Sequence, residues 1–187
     1  MDAEIVSRRL VYDRWTRISE VELRLPNGAV EKRVVDDHGC AAAVLLYDPR
    51  RCVALLLRQP RAPVIEMGAA PVLEVVAGRV EGKTGEETAR AEAWEEAGVR
   101  IRSLEPVGNL WMMPAVSTER IDYFLAAYDA SDQVGAGGGA ADENECIVPE
   151  EVPLRELAAM MAAGTLTDAK TFLLVQALML RQPGLFV

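Results

Sequence analysis

Glu92, Glu95 and Glu96 stand three and four positions apart, a spacing that turns all three carboxylates to one face of an α-helix. On a bare helix, like charges so placed cost about 0.2–0.5 kcal/mol per pair. A hard divalent cation with oxygen ligands reverses that sign. Ordinary solvated acidic faces share the pattern, so its surroundings must decide between a surface and a metal site. Other titratable candidates are few. His38 is the single histidine; it excludes mechanisms that need a histidine pair and reads by itself as a polar residue at a strand end. Cys40, Cys52 and Cys146 are too far apart for a Cys-x-x-Cys metal site, and their odd number suits a reducing compartment.

Charge narrows the ligand class. The net charge of −9 opposes nucleic-acid binding, which favours a basic surface. Residues 1–61 carry 11 Lys and Arg against 9 Asp and Glu, whereas residues 62–187 carry 9 against 20. An anionic ligand therefore needs a bound cation in the acidic part, while the N-terminal part can supply arginines. There is no run of 18 apolar residues, and the start MDAEIVSRRLVYD lacks the continuous apolar stretch of a signal peptide. The expectation is a cytoplasmic protein without membrane or nucleic-acid partners.

The elements that must position the glutamates can be read from period and punctuation. Ile18, Val21, Leu23 and Leu25 alternate up to Asn27-Gly28, which predicts a two-residue hairpin turn into Val30, Val34 and Val35. Ala41–Tyr47 and Cys52–Leu57 flank Asp48-Pro49 as a second hairpin, and Pro71–Val76 makes a short apolar strand meeting Gly78. Thr84 with Glu87 forms a capping box, and Gly98 supplies a helix stop, so the glutamates lie on a helix over about 85–97. Ala89, Ala93 and Ala97 give that helix a small seam able to lie close to a sheet. Val107–Met113 and Ile121–Tyr128 predict strands, and helices are expected over 153–163 and 168–181. The glycines at 135 and 137–139 predict a mobile loop over 132–145. Hairpins first and helices later point to an α+β chain or an α/β/α sandwich with a mixed sheet.

The stretch Gly78-Arg-Val-Glu-Gly-Lys-Thr-Gly-Glu-Glu-Thr-Ala-Arg-Ala-Glu92-Ala-Trp-Glu95-Glu96-Ala-Gly98-Val99 resembles the Nudix box, G-x5-E-x7-R-E-U-x-E-E-x-G-U with U aliphatic. Its second half matches from Glu92 to Val99. Its first half departs: Gly78 is one residue closer to Glu92, Thr84 or Lys83 replaces the first glutamate, and Ala91 replaces the arginine. Arg58-Gln59-Pro-Arg61, Leu73-Glu74 leading to Ala77-Gly78, Thr118-Glu119, the glycine loop with Glu143, and Asp168-Ala-Lys170-Thr171 extend the likeness over nearly the whole chain. Together they resemble the nucleoside-diphosphate-sugar branch, which includes ADP-ribose pyrophosphatases and GDP-mannose hydrolases.

The resemblance implies a Nudix-type α/β/α sandwich over 39–187 and an N-terminal β extension over 1–38 that serves as a dimerisation and substrate arm. It implies Mg²⁺, with Mn²⁺ as a substitute, held by the Ala77 carbonyl, Glu92, Glu96 and Glu143. Glu95 assists, and Glu143 or Glu119 accepts the proton of the attacking water. Arg33, Arg58, Arg61 and Lys170 are the cations for the pyrophosphate or sugar, and Tyr12 and Trp15 can stack on a base. A homodimer with shared sites follows from the resemblance alone. Two other readings use the same residues. A Nudix-fold nucleotide-sugar sensor without turnover is motivated by Ala91 and the missing first glutamate. A P-loop is motivated by Ala77–Thr84, one substitution from G-x4-G-K-[ST], although Glu86 and Glu87 place negative charge where a phosphate would sit.

Overall fold

The computed structural model describes residues 2–139 and 146–187. The chain divides into two compact units, one formed by residues 1–40 and 110–121, the other by 41–109 and 122–187.

In the first unit β1 (Glu4–Asp13), β2 (Arg17–Arg24) and β3 (Val30–Asp37) form an antiparallel sheet with β2 in the centre. Strand β1 escaped the sequence reading because its apolar residues do not alternate; its pairing with β2 slips between Ile5 and Ser7 and again between Leu10 and Tyr12. The turn is also longer than expected. Leu25 N–H donates to Ala29 O at 2.8 Å and Gly28 N–H to Leu25 O at 2.9 Å, so Pro26–Gly28 form a three-residue loop. Pro26, with its fixed φ, starts that turn one residue earlier than Asn-Gly alone predicts. The 110–121 segment ties to β3 where Asp36 N–H donates to Val116 O and Thr118 N–H to Asp36 O, at 2.8 and 2.9 Å.

The second unit holds most of a mixed sheet of six strands, with residues 110–111 of one strand and 120–121 of another counted in the first unit. The six are β4 (Ala41–Asp48), β5 (Val53–Arg58), β6 (Val76–Arg79), β7 (Glu105–Trp111), β8 (Arg120–Ala127) and β9 (Val148–Pro153). The order is β7-β8-β4-β5-β9, with β6 pairing the first half of β4 and β5 its second half. Every residue of β4 is buried, as a continuous apolar strand covered on both faces must be. On one face Ala42, Val44 and Leu46 join Ala89, Ala93 and Ala97 of α2 (Gly85–Ala97) in one cluster. On the other lies α4 (Ala169–Arg181), which follows α3 (Leu154–Ala163), and Gln182 Nε2 just past α4 donates to Tyr47 Oη at 2.8 Å. The arrangement is an α/β/α sandwich.

Besides β1, three further elements are not expected from the sequence. Helix α1 (Ala62–Glu66) and the 3-10 turn Pro183–Phe186 are too short to show a period. Strand β9 contains Pro149 and Pro153 and, among the described residues, pairs only with β5; proline is tolerated there because β9 is an edge.

Candidate active site

The C-terminal half of α2 carries the acidic cluster, and β6 packs against that helix. Thr84 caps the helix: its Oγ1 accepts from Glu87 N–H at 3.2 Å, and the Glu87 carboxylate accepts from Thr84 N–H at 2.7 Å. That backbone bond holds the Glu87 carboxyl below its ordinary pKa. The carboxylate thus occupies the amide that a P-loop would offer to phosphate, and β6 runs antiparallel to β4, whereas a P-loop strand belongs to a parallel sheet.

Two candidate ligands converge. Glu96 is 2% exposed, and its Oε2 accepts from Ala77 N–H at 3.2 Å, which sets the last residue before Gly78 against the helix. Glu92 lies against Gly78 so closely that a Cβ there would overlap its carboxylate. Glu95 is exposed. Arg90 does not brace these acids in place of the absent box arginine: it pairs with Glu86 at 2.7 Å and donates to Ile101 O at 2.7 Å. Among the described residues no three His, Cys, Asp or Glu side chains converge closely enough to cage an ion. The residues brought together are Glu92 and Glu96 of the helix and Ala77-Gly78 of the strand.

The end of α2 is clasped by the glycine-rich segment expected to be mobile. Gly98 closes the helix in the left-handed conformation and accepts at its carbonyl from Val134 and Gly135 N–H at 3.0 and 3.1 Å. Gly138 N–H donates to Glu96 O at 2.8 Å and Gly139 N–H to Glu95 O at 3.1 Å. A Cβ at Gly137, whose φ is +66°, would strike Glu96 O. Over 135–139 the glycines therefore serve close approach to the helix carbonyls rather than freedom. Glu143 lies outside the described residues.

The expected cations fall into separate groups. Arg61 meets Glu74 through Nε and Nη2, both at 2.9 Å, and Lys170 Nζ lies 3.4 Å from the same carboxylate and 2.7 Å from Asp168. Glu74 is buried, and an acid inside the apolar run Leu73–Val76 was the signal for it. Arg58 is bound to Glu150 at 2.7 Å and to Pro71 O at 2.9 Å.

Arg33, Tyr12, Trp15 and Glu119 belong to the first unit. Arg33 is paired with Glu31, Tyr12 is exposed, and Trp15 is 70% exposed with one face stacked on His38 at 5.3 Å. His38 is more than a polar strand end: its Nε2 lies 3.2 Å from Glu119 and its Nδ1 3.5 Å from Asp36. Glu119 is thereby engaged by an imidazole rather than poised alone.

The NUDIX domain model matches residues 37–175. A GDP-mannose pyrophosphatase of Pectobacterium atrosepticum is 34% identical over 184 residues, 95% of this chain and 94% of that protein. A GDP-mannose pyrophosphatase of Cronobacter sakazakii is 35% identical over 178 residues, 94% of this chain and 88% of that protein. A crystal structure of an ADP compounds hydrolase superposes with a TM-score of 0.78 at 17% identity, covering 98% of this chain and 96% of that one. With its capped acidic helix, the close Gly78–Glu92 approach and a family match across most of its length, the chain belongs to the NUDIX family.

Proposed function

We propose that this chain hydrolyses the pyrophosphate bond of a nucleoside diphosphate sugar, GDP-mannose first and ADP-ribose second, giving a nucleoside monophosphate and a sugar phosphate. The observation that carries the reading is the buried Glu96 carboxylate fastened to Ala77 N–H beside Glu92. The names of the GDP-mannose pyrophosphatases with which the chain shares about a third of its residues support the substrate.

The donors suit Mg²⁺, with Mn²⁺ as substitute: two carboxylates and a carbonyl are hard oxygen ligands, and a buried acid gains from a cation beside it. Glu92, Glu96 and the Ala77 carbonyl would hold the ion, with Glu143 a fourth candidate. When bound, the ion offsets the charge of the pyrophosphate and makes water a better nucleophile. The protein's own groups do the rest. Glu143 takes the water's proton with Glu95, exposed on the same helix, assisting, because the one histidine is engaged by Glu119. Glu119 remains a candidate only if it leaves His38. Arg61 and Lys170, aligned on Glu74, meet the phosphate or sugar, with Arg58 and Arg33 as further cations. Trp15 and Tyr12 offer exposed ring faces to a base.

The protein acts as a cytoplasmic homodimer through its N-terminal sheet. In support, β1 exposes Ile5, Leu10, Val11 and Tyr12, and the first unit contains an apolar groove of about 250 Å³ beside Ile5, Leu23 and Trp111. The three cysteines are unpaired, as suits a reducing compartment.

The deciding experiment is a panel of nucleotide sugars with Mg²⁺, following the released monophosphate. GDP-mannose or ADP-ribose is turned over, and EDTA abolishes the reaction. Ala91 favours a second reading, a sensor that binds without turnover; binding with no hydrolysis under any divalent metal decides for it.

A further inference from the structure

The Asp168-Ala-Lys-Thr171 turn reaches the metal-side strand through its threonine. Asp168 is the N-cap of α4 and Thr171 its third residue, fully buried. Thr171 Oγ1 accepts from Val75 N–H at 2.8 Å. Its own proton faces Asp168 Oδ2 at 2.7 Å, with Leu73 O farther away at 3.3 Å. Asp168 Oδ2 also accepts Thr171 N–H at 2.9 Å, which fixes the hydroxyl with its lone pairs toward Val75.

The sheet leaves this bond to be made. Residue 74 exchanges both backbone bonds with Leu57, at 2.8 and 2.9 Å, and regular pairing with β4 begins only at Val76. Val75 N–H, in a residue 1% exposed, would otherwise be a buried orphan. Two residues later Ala77 gives its N–H to Glu96 and presents the carbonyl assigned above to the cation. The strand is thus pinned from the α4 side at Val75 and from the α2 side at Ala77.

We propose that Thr171 is a positioning residue for the cation site, setting the Ala77 carbonyl against Glu92 and Glu96 through its bond to Val75 N–H. The proposal rests on the metal reading above. It is tested by Mn²⁺ binding to the substrate-free protein, followed by electron paramagnetic resonance and calorimetry, with thermal unfolding measured alongside. Thr171→Val keeps the shape and removes the acceptor. It should weaken Mn²⁺ binding by at least about tenfold, the scale of losing an outer support of a metal ligand. Thr171→Ser, which restores the hydroxyl, should return the affinity to within about threefold, well under that scale. Wild-type affinity in Thr171→Val with only a lower unfolding temperature would make the hydroxyl merely structural and overturn the proposal. If Thr171→Val does not fold, Thr171→Ala, which also removes the hydroxyl, carries the same comparison, and wild-type Mn²⁺ affinity in it likewise overturns the proposal. Absence of Mn²⁺ binding in the wild type would bring down the metal reading and this proposal together, whereas equal binding by wild type and variant brings down the proposal alone.

Discussion

The two units use their strands in opposite ways. In the larger one β4 is buried from end to end, α2 covers one face with alanines, and the candidate ligands Glu96 and Ala77 are joined by a hydrogen bond. In the smaller one β1 is exposed along its whole length, and Trp15 and Tyr12 face solvent. Burial fixes geometry, because every polar group taken from water must find a partner and every volume a neighbour. Exposure leaves side chains free to meet something that arrives. Substitutions in the first setting should therefore alter chemistry or stability, and those in the second should alter recognition.

The largest effect is expected at Glu96. Glu96→Gln keeps the shape and the Ala77 bond but loses the charge, so turnover should fall by orders of magnitude while circular dichroism shows the helix retained. Unchanged activity would remove the ion site from this helix.

Gly137→Ala comes next. It forces a left-handed φ on alanine and drives Cβ toward Glu96 O, at a cost of about 1–3 kcal/mol. Denaturant unfolding measures that loss, and a raised Mg²⁺ requirement for turnover should accompany it. A variant as stable as the wild type would show that the clasp on α2 is loose.

Arg51→Met probes the buried unit away from the site. Arg51 pairs with Asp48 and Glu151, both at close range. Burial pushes the Asp48 carboxyl up, but its hydrogen bonds with Arg51 outweigh this and hold it below its ordinary value; the Arg51 bond chiefly lowers Glu151. Depressed carboxylates stabilise the fold above their unfolded values near about pH 4, and this contribution fades as pH falls through the depressed folded values. At neutral pH the variant should lose about 1–2 kcal/mol, a modest figure because Arg51 is half exposed. The gap to wild type should narrow below about pH 4. A gap that does not depend on pH would assign the loss to packing.

Trp15→Ala has the smallest expected effect on stability, within about 0.5 kcal/mol for an exposed side chain. It should raise the KM for a nucleotide sugar while leaving kcat nearly unchanged. A large drop in unfolding temperature would instead make the Trp15–His38 stack part of the small unit's framework.

The capped helix 85–97, its alanine seam and the helices at 154–163 and 169–181 were legible because each carries local signals: a capping box, a period, a stopping glycine. Strands β1 and β9 were not, since one slips in register and the other contains two prolines, and only a neighbouring strand makes either regular. The glycines of 135–139 were misread for a similar reason: freedom and close approach need the same residue, and the partner carbonyls at Glu95 and Glu96 are about forty positions away in sequence.

By itself the sequence determined that Glu92 and Glu96 share a helix face, and its resemblance to the Nudix box implied which residues would ligate a cation and that the substrate is of the nucleoside-diphosphate-sugar class. Tertiary structure alone decided that Ala77 donates to Glu96, that Arg61 and Lys170 meet on Glu74, that Thr171 holds Val75, and that His38 engages Glu119. Helical spacing is a property of neighbouring residues and survives in the linear chain. These pairings join positions 13 to 96 residues apart, so they exist only once the sheet has brought the segments together.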